Sequence, residues 1–218
     1  MLDVLSFNGD LVYQILNAAG DEVEKLYAYD LTPGIARYMA ERFRALRPTP
    51  NLEYLVNDRD DAIHIPLPDS HVQVMSCYER LEHFQNPVPL LKEMVRVLAP
   101  GGRALVVVSN RYYPHLYRYQ RMRKQNYALG RNWNRGPERK YEQEQIEEHF
   151  RAAGFRVAGM RGLQPVHLKA AAVAESLARR AGLHGAADFA ADWAAQRYVT
   201  DDFWKYLSSS FAYELERT

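Results

Sequence analysis

The sequence has few of the residues that indicate an extracellular, metal-binding or membrane-embedded protein. It contains one cysteine, Cys77, and so cannot form an internal disulfide. Its seven histidines form no H-E-x-x-H pattern and no C-x-x-C pattern is present, so no metal site is predicted. No apolar run approaches the roughly 18 residues of a membrane-spanning helix, and Asp3 and Asp10 interrupt the start where a secretory leader is apolar. A protein of the reducing cytoplasm is expected.

Glycine and proline are also scarce, and the net charge is small. With 12 glycines and 11 prolines among 218 residues, of which 47% are hydrophobic, the composition excludes a disordered or low-complexity chain. The length suits one α/β domain over residues 1–218. The net charge of +1 hides an uneven distribution, because residues 111–140 hold nine of the 28 Lys and Arg against one acid, Glu138. That window is therefore about +8 and the remainder about −7.

Apolar strands alternate with amphipathic helices along the chain. Strands are predicted at 1–5, 26–29, 52–56, 72–77, 104–108 and 155–160, and an edge strand at 211–216. Helices are predicted after Gly9, from Pro33, from Pro87 to a break at Pro100–Gly102, over 141–153, and as two helices separated near Gly182 and Gly185 within 167–197. This alternation favours a Rossmann-like α/β fold, with a doubly wound, mostly parallel sheet and helices on both faces.

The turn at Gly9 and the acid at the end of the second strand suggest a nucleoside-bearing cofactor. Gly9 and Asp30 are 21 residues apart, close to the roughly 20 that separate a nucleotide-binding turn from a ribose-binding carboxylate. Asp58 ends the third strand and is placed to accept a hydrogen bond from an adenine amino group. Alternatively, Asp30 is a carboxylate near a helix N-terminus that the helix dipole favours, and Asp58 belongs to a solvated acidic loop.

Short motifs extend this pattern over nearly the whole chain: Leu2 to Asp10, Tyr27 to Pro33, Val56 to Arg59, Leu67 to Ser70 with Leu81 to His83, Val97 to Gly102 and Ala152 to Phe155. In this order they resemble L-D-V-G-C-G-T-G-D, Y-G-V-D-L-S-P, G-D-A, F-P-D-x-S-F-D with L-E-H, R-V-L-K-P-G-G and A-G-F. These motifs belong to the class I S-adenosylmethionine-dependent methyltransferases, in particular the branch of ubiquinone and menaquinone enzymes. The resemblance implies a seven-stranded sheet and methyl transfer from S-adenosylmethionine to a small molecule.

The resemblance also implies which residues contact the cofactor: Asp3, Phe7, Asn8, Gly9, Asp30, Leu31, Asp58, Arg59 and Cys77. Leu5 and Phe7 stand where the family has glycines that let the cofactor approach the backbone. The alternative function is therefore a non-catalytic, methyltransferase-like binding or scaffold subunit. The chain also begins at the first strand, where the family has a preceding helical segment. A dehydrogenase is less favoured, because G-x-G-x-x-G is absent.

The candidate catalytic residues lie at strand ends. His83, in the L-E-H match, is the preferred general base for a protonated acceptor, followed by Tyr78 and His115. Alternatively, His83 caps the helix that Asn86 precedes. Cys77 is interpreted as a small buried residue rather than a nucleophile, since no base accompanies it.

The window 111–140 is interpreted as a basic aromatic insertion or lid, and 166–208 as a helical insertion before the last strand. The window interleaves its cations with five tyrosines and one tryptophan. It could shape the pocket of an anionic or aromatic small-molecule acceptor, or form a solvated surface that faces a protein partner. Binding of nucleic acid by this window is a further and less favoured interpretation.

Overall fold

The computed structural model describes residues 1–19, 22–46, 51–111, 140–186, 188–189 and 208–218. In these residues seven strands form one sheet in the order β3-β2-β1-β4-β5-β7-β6, and β7 is antiparallel to both of its neighbours. The strands are β1 (Leu2–Val4), β2 (Leu26–Asp30), β3 (Leu52–Val56), β4 (Val72–Tyr78), β5 (Leu98–Ser109), β6 (Phe155–Pro165) and β7 (Ser208–Arg217). The predicted doubly wound, mostly parallel sheet is confirmed. Its strand order reverses between β1 and β4, where α/β sheets bind ligands.

Helices cover both faces of this sheet. They are α1 (Asp10–Ala19), α2 (Pro33–Leu46), α3 (Val88–Val97), α4 (Gln143–Ala153) and α5 (Val166–Arg180). The α1 and α2 helices pack on one face in a core of Val12, Leu16, Leu26, Ala28, Met39 and Phe43. The α3 and α4 helices pack on the other face in a larger core around β4 and β5. The carboxyl ends of β1, β2 and β4 consequently meet at one edge between two packed layers.

The structure corrects two details of the predicted elements. The last strand, β7, is not an edge strand, because it lies between β5 and β6 and hydrogen-bonds to both; β6 forms that edge. The α3 helix ends at Val97, before the predicted break, and Pro100 and Gly101 lie within a bulged start of β5. Gly182, with a φ of +74°, follows α5 as predicted, whereas Gly185 lies among helical residues.

Candidate functional site

The segment 5–9, which follows β1, forms a turn at the carboxyl edge of the sheet. Leu5, Phe7 and Gly9 have φ angles of +60°, +50° and +76°. This left-handed region costs a residue with a Cβ about 1–2 kcal/mol. Leu5 and Phe7 occupy two positions where the resembled motif has glycine. The turn therefore has positive φ angles at three positions where the resembled motif has glycine, although two of these residues carry a Cβ.

Two side chains from neighbouring strand ends hold this strained backbone. Arg80, two residues after β4, donates from Nε to the Leu5 carbonyl oxygen at 3.1 Å. Asp30, the last residue of β2, accepts from the Phe7 N–H at 3.2 Å. Leu5 is also buried in the larger core. Strained backbone persists where its surroundings fix it in this way, and such strain is found at functional sites.

The end of the turn is fixed against α2. A Cβ on Gly9 would lie 2.6 Å from Cε2 of Phe43, so only glycine fits there. Arg42 of α2 donates to the Asn8 carbonyl oxygen and pairs with the Asp10 carboxylate at 2.7 Å. The Asn8 side chain in turn accepts from the Asp10 N–H at 3.3 Å, at the start of α1. The turn and the first turn of α1 consequently form one unit with α2.

Asp30 lies beneath the turn and is buried. Its Oδ1 accepts from the Leu31 N–H at 2.7 Å, and its Oδ2 accepts from the Phe7 N–H. Burial raises the pKa of Asp30 above its ordinary value, while these backbone N–H groups and the Arg80 charge act in the opposite direction. A carboxylate has about four acceptor positions. Asp30 therefore already accepts from the backbone of the turn and of the residues that follow β2.

Asp3 of β1 is a second buried acid, close to Asp30. Ser76 of β4 donates to its Oδ1 at 2.7 Å, and Ser6 donates to its backbone carbonyl oxygen at 3.0 Å. Burial raises the pKa of Asp3 to about 6. Asp3 therefore joins β1, β4 and the turn, and its charge lies close to that of Asp30.

The residues after β3 form a hydrogen-bonded loop. His64 Nδ1 pairs with the Asp58 carboxylate at 2.6 Å, and this contact lowers the pKa of Asp58. The neighbouring Asn57 Oδ1 accepts from the His64 N–H at 2.7 Å. Asp58 and Arg59 are exposed. Asp58 is therefore at the strand end that the sequence predicted, but it already has a partner, whose identity the sequence did not reveal.

The carboxyl end of β4 carries three polar side chains in a row. Tyr78 is 41% exposed. Glu79, with a φ of +51°, accepts from the Ser210 hydroxyl at 2.6 Å and so connects β4 with β7. The Arg80 guanidinium lies 4.6 Å from the centre of the Phe7 ring, at a distance that gives a cation–π interaction. Arg80 and Phe7 thus bridge the gap between β4 and the turn after β1.

Glu82 and His83 follow in a 3-10 turn, and their environments differ. Glu82 is buried, and its Oε1 accepts from the Ser109 N–H at the end of β5. Its Oε2 has no hydrogen-bond partner among the residues that the structure describes. Burial, with the nearby Glu79 charge, raises the pKa of Glu82 to about 7. His83 is exposed, and its backbone N–H donates to the Arg80 carbonyl oxygen.

The sequence interpretation did not single out Arg80 or Glu82. Arg80 is 75 residues from its acceptor Leu5, and no local pattern reveals such a contact. Glu82 did carry a signal, because it is the central residue of the L-E-H match. The unusual feature is its burial, which only the packing of the 3-10 turn against β5 discloses.

The remaining predicted site residues differ in burial, and some lie outside the described residues. Cys77 is fully buried in the larger core, and burial raises the pKa of its thiol. Any contact of Cys77 with a cofactor would therefore come from its backbone. Leu31 is half-buried beside the same core. His115 and the predicted lid, apart from its end residues, lie outside the described residues, as does the last part of the predicted 166–208 insertion.

The part of the chain that the structure describes contains neither a metal-binding cluster nor a membrane-spanning helix. No cluster of three or more His, Cys, Asp or Glu side chains suited to a metal ion occurs in it. Within the same ranges, no helix is long and apolar enough to cross a membrane.

Comparison with known proteins places this geometry in context. A family model described as a methyltransferase domain matches residues 6–106. The chain is 30% identical over 107 residues to the ubiquinone/menaquinone biosynthesis C-methyltransferase UbiE of Azotobacter vinelandii, covering 49% of this chain and 41% of that one. It is 25% identical over 118 residues to a 2-phytyl-1,4-naphtoquinone methyltransferase of Synechococcus elongatus, covering 54% of this chain and 49% of that one. The chain thus spans less than half the length of these relatives.

Solved structures share the fold. A SAM dependent methyltransferase from Aquifex aeolicus superposes with a TM-score of 0.55 at 22% identity, covering 74% of each chain. A Haloferax volcanii putative methyltransferase, solved in complex with the Trm112 methyltransferase activator, gives a TM-score of 0.62 at 18% identity, covering 99% of this chain and 81% of that one. At these identities the likeness shows the fold alone. The match of residues 6–106 and the partial matches to the two relatives support the methyltransferase family and the S-adenosylmethionine cofactor that the motifs predicted.

Proposed function

We propose that the chain is a class I S-adenosylmethionine-dependent methyltransferase and that it transfers a methyl group from S-adenosylmethionine to a small molecule. The observation that carries this proposal is the left-handed backbone at Leu5, Phe7 and Gly9. A chain with no use for the turn could relax it and gain about 1–2 kcal/mol at each of the two non-glycine positions. Retaining the strain supports a ligand-binding role.

The strand-end acids support a nucleoside in the same cleft. Asp30 accepts from the Phe7 and Leu31 N–H groups and would also accept hydrogen bonds from ribose hydroxyls. Asp58 lies at the next strand end, where it would accept from the adenine amino group beside its contact with His64. The cofactor contacts of Asp3, Asn8, Gly9, Leu31 and Arg59 remain predictions. Asp3 and Gly9 also have structural roles, since Asp3 bonds to Ser76 and Gly9 packs against Phe43.

The cofactor supplies a methyl group that is already activated by its bond to a sulfonium sulfur. An acceptor atom attacks the methyl carbon, the carbon–sulfur bond breaks, and its electron pair stays on sulfur, leaving S-adenosylhomocysteine. The protein's part is to align the two groups and exclude water. His83 or Tyr78, both exposed near the end of β4, would take the proton of a protonated acceptor.

An aromatic or anionic acceptor suits the chain best. The two matched relatives named above are quinone methyltransferases by name, and residues 111–140 combine nine cations with aromatic rings. A protein partner at that segment also stays a prediction. No finding favours the alternative of a non-catalytic scaffold.

Calorimetric titration with S-adenosylhomocysteine tests the cofactor part of the proposal. The wild-type protein should release measurable heat, and Asp30→Asn should weaken binding at least tenfold. A 2′-deoxy analogue should bind the wild type less tightly than the parent nucleoside, and the Asp30→Asn protein should discriminate less between the two. Asp69→Asn is the matched control, because Asp69 is exposed and paired with Arg96 away from the cleft.

Transfer of a labelled methyl group to reduced 1,4-naphthoquinone and to 4-hydroxybenzoate tests the acceptor. Transfer to either probe that depends on His83 or Tyr78 would support the assignment of a base. No heat with S-adenosylhomocysteine at millimolar concentration would refute the proposal altogether.

A further inference from the structure

Arg80 is held in a fixed orientation at the mouth of the cleft. Its Nε donates to the Leu5 carbonyl oxygen at 3.1 Å, and its guanidinium lies 4.6 Å from the centre of the Phe7 ring. The side chain is half-buried. Both contacts come from the turn after β1, so the position of Arg80 follows that of the turn. A guanidinium held in this way loses little conformational entropy when it binds a ligand.

The terminal nitrogens of Arg80 are left for another partner. Arginine carries five N–H donors, of which the Leu5 carbonyl uses one. In the part of the chain that the structure describes, neither terminal nitrogen makes a hydrogen bond or an ion pair. Because the side chain is half-buried, an anionic ligand that reaches this fork displaces only part of its hydration. The geometry of that fork matches the two oxygens of a carboxylate.

The charges around Arg80 further limit the class of ligand that fits the cleft. Asp3 and Asp30 lie close enough for the Arg80 charge to lower the pKa of each carboxyl against the opposing effect of burial. Both acids already accept hydrogen bonds from Ser76, Phe7 or Leu31, and neither forms an ion pair with Arg80. The cleft thus presents a cation beside two buried acids. That combination suits a ligand that carries a carboxylate next to a cationic group.

We propose that Arg80 is a carboxylate-binding residue, whose terminal nitrogens hold the carboxylate of a molecule bound between β4 and the turn after β1. This inference rests on the proposed function. The carboxylate could belong to the amino-acid end of the cofactor, where an ammonium and a sulfonium accompany it, or to an acidic methyl acceptor. Both sources use the same contact, and they can be separated by experiment.

The test compares Arg80→Gln with wild type in titrations with S-adenosylhomocysteine and with its decarboxylated analogue, which lacks only the carboxylate. If the cofactor supplies the carboxylate, Arg80→Gln weakens S-adenosylhomocysteine binding about 10- to 100-fold, as for loss of a charged hydrogen-bonded pair. The decarboxylated analogue then binds both proteins within twofold. Arg80→Lys keeps the charge but not the fork, so its affinity for S-adenosylhomocysteine should lie between those of wild type and Arg80→Gln. Arg103→Gln is the matched control, because Arg103 is an exposed arginine of β5 paired with Glu214.

A second titration adds 4-hydroxybenzoate to each protein, both alone and saturated with S-adenosylhomocysteine. Loss of its binding in Arg80→Gln, with S-adenosylhomocysteine binding unchanged, assigns the carboxylate to an acceptor. Equal weakening of S-adenosylhomocysteine and its decarboxylated analogue, or no change with any probe, overturns the inference. A wild type that binds no nucleoside refutes the proposed function, and Arg80-dependent binding of 4-hydroxybenzoate would still uphold the carboxylate site. A wild type that binds none of these probes overturns both.

Discussion

Replacing Phe7 by glycine and by alanine measures the strain in the turn after β1. Both variants lose the ring and its contact with the Arg80 guanidinium. The two proteins therefore differ only in whether a Cβ occupies a position with a φ of +50°. Glycine relieves about 1–2 kcal/mol of strain, and its greater freedom in the unfolded chain offsets about 0.4–1 kcal/mol. We expect Phe7→Gly to have a free energy of unfolding about 0.8 kcal/mol higher than that of Phe7→Ala.

Urea denaturation without nucleoside provides the measurement, with the slopes compared to confirm that the same surface is exposed on unfolding. A control pair at Arg37, an exposed position in α2, should give the opposite sign. There the alanine variant should be more stable than the glycine variant by about 1 kcal/mol. If Phe7→Ala proved as stable as Phe7→Gly while the Arg37 pair behaved normally, the turn would not carry the strain that supports the proposed function.

Two further predictions concern burial near the site. Gly9→Ala should lower the free energy of unfolding by about 2–4 kcal/mol, because its Cβ would lie 2.6 Å from Phe43 at a φ of +76°. Gly34→Ala, in α2 with nothing within 4 Å of its Cβ, should stabilise by about 0.5–1 kcal/mol in the same denaturation experiment. Burial raises the pKa of Glu82 from 4.5 to about 7, so the native state holds a proton there that the unfolded chain releases. Stability should therefore fall by about 3 kcal/mol as the pH rises from 4.5 to 7, and Glu82→Gln should remove that part of the slope in denaturation curves recorded across this range.

Local pattern was sufficient to predict most of the fold. The β5 strand was predicted from its uninterrupted apolar stretch; Ala104, Val106 and Val108 of that stretch lie in the larger core, whereas Leu105 on the opposite face is 49% exposed. The α4 helix ends at Ala153, and Gly154, with a φ of +100°, caps it as the sequence predicted. The misplaced strand is β7, whose alternating residues are typical of an edge. Its polar side chains Glu214 and Glu216 instead pair with Arg103 and Arg156 on neighbouring strands, which periodicity cannot distinguish from exposure to solvent.

The candidate site was less predictable from the sequence than the fold. The strand-end acids Asp30 and Asp58 were found because their positions follow from the order of strands. The left-handed backbone at Leu5 was not predicted, because leucine rarely adopts a positive φ. The neighbouring residues in the sequence do not impose this conformation either. The conformation depends on a carbonyl bonded to Arg80 and on a side chain buried in the core. Such contacts join parts of the chain that are far apart in sequence, so they leave no short-range pattern.

The turn after β1 depends on support from three directions, and this explains how it could bind a cofactor without its glycines. Glycine makes such a turn inexpensive, whereas here Arg80, Asp30 and Arg42 each bond to a different part of its backbone. Two of these supports, Arg80 and Asp30, are also the residues proposed to bind the ligand. A ligand that contacts both residues would therefore stabilise the strained turn. The strain, in exchange, would lower the affinity of the cleft for that ligand. Relief of strain at Phe7 should therefore raise the affinity for S-adenosylhomocysteine, whereas Arg80→Gln should lower it by removing the carboxylate contact.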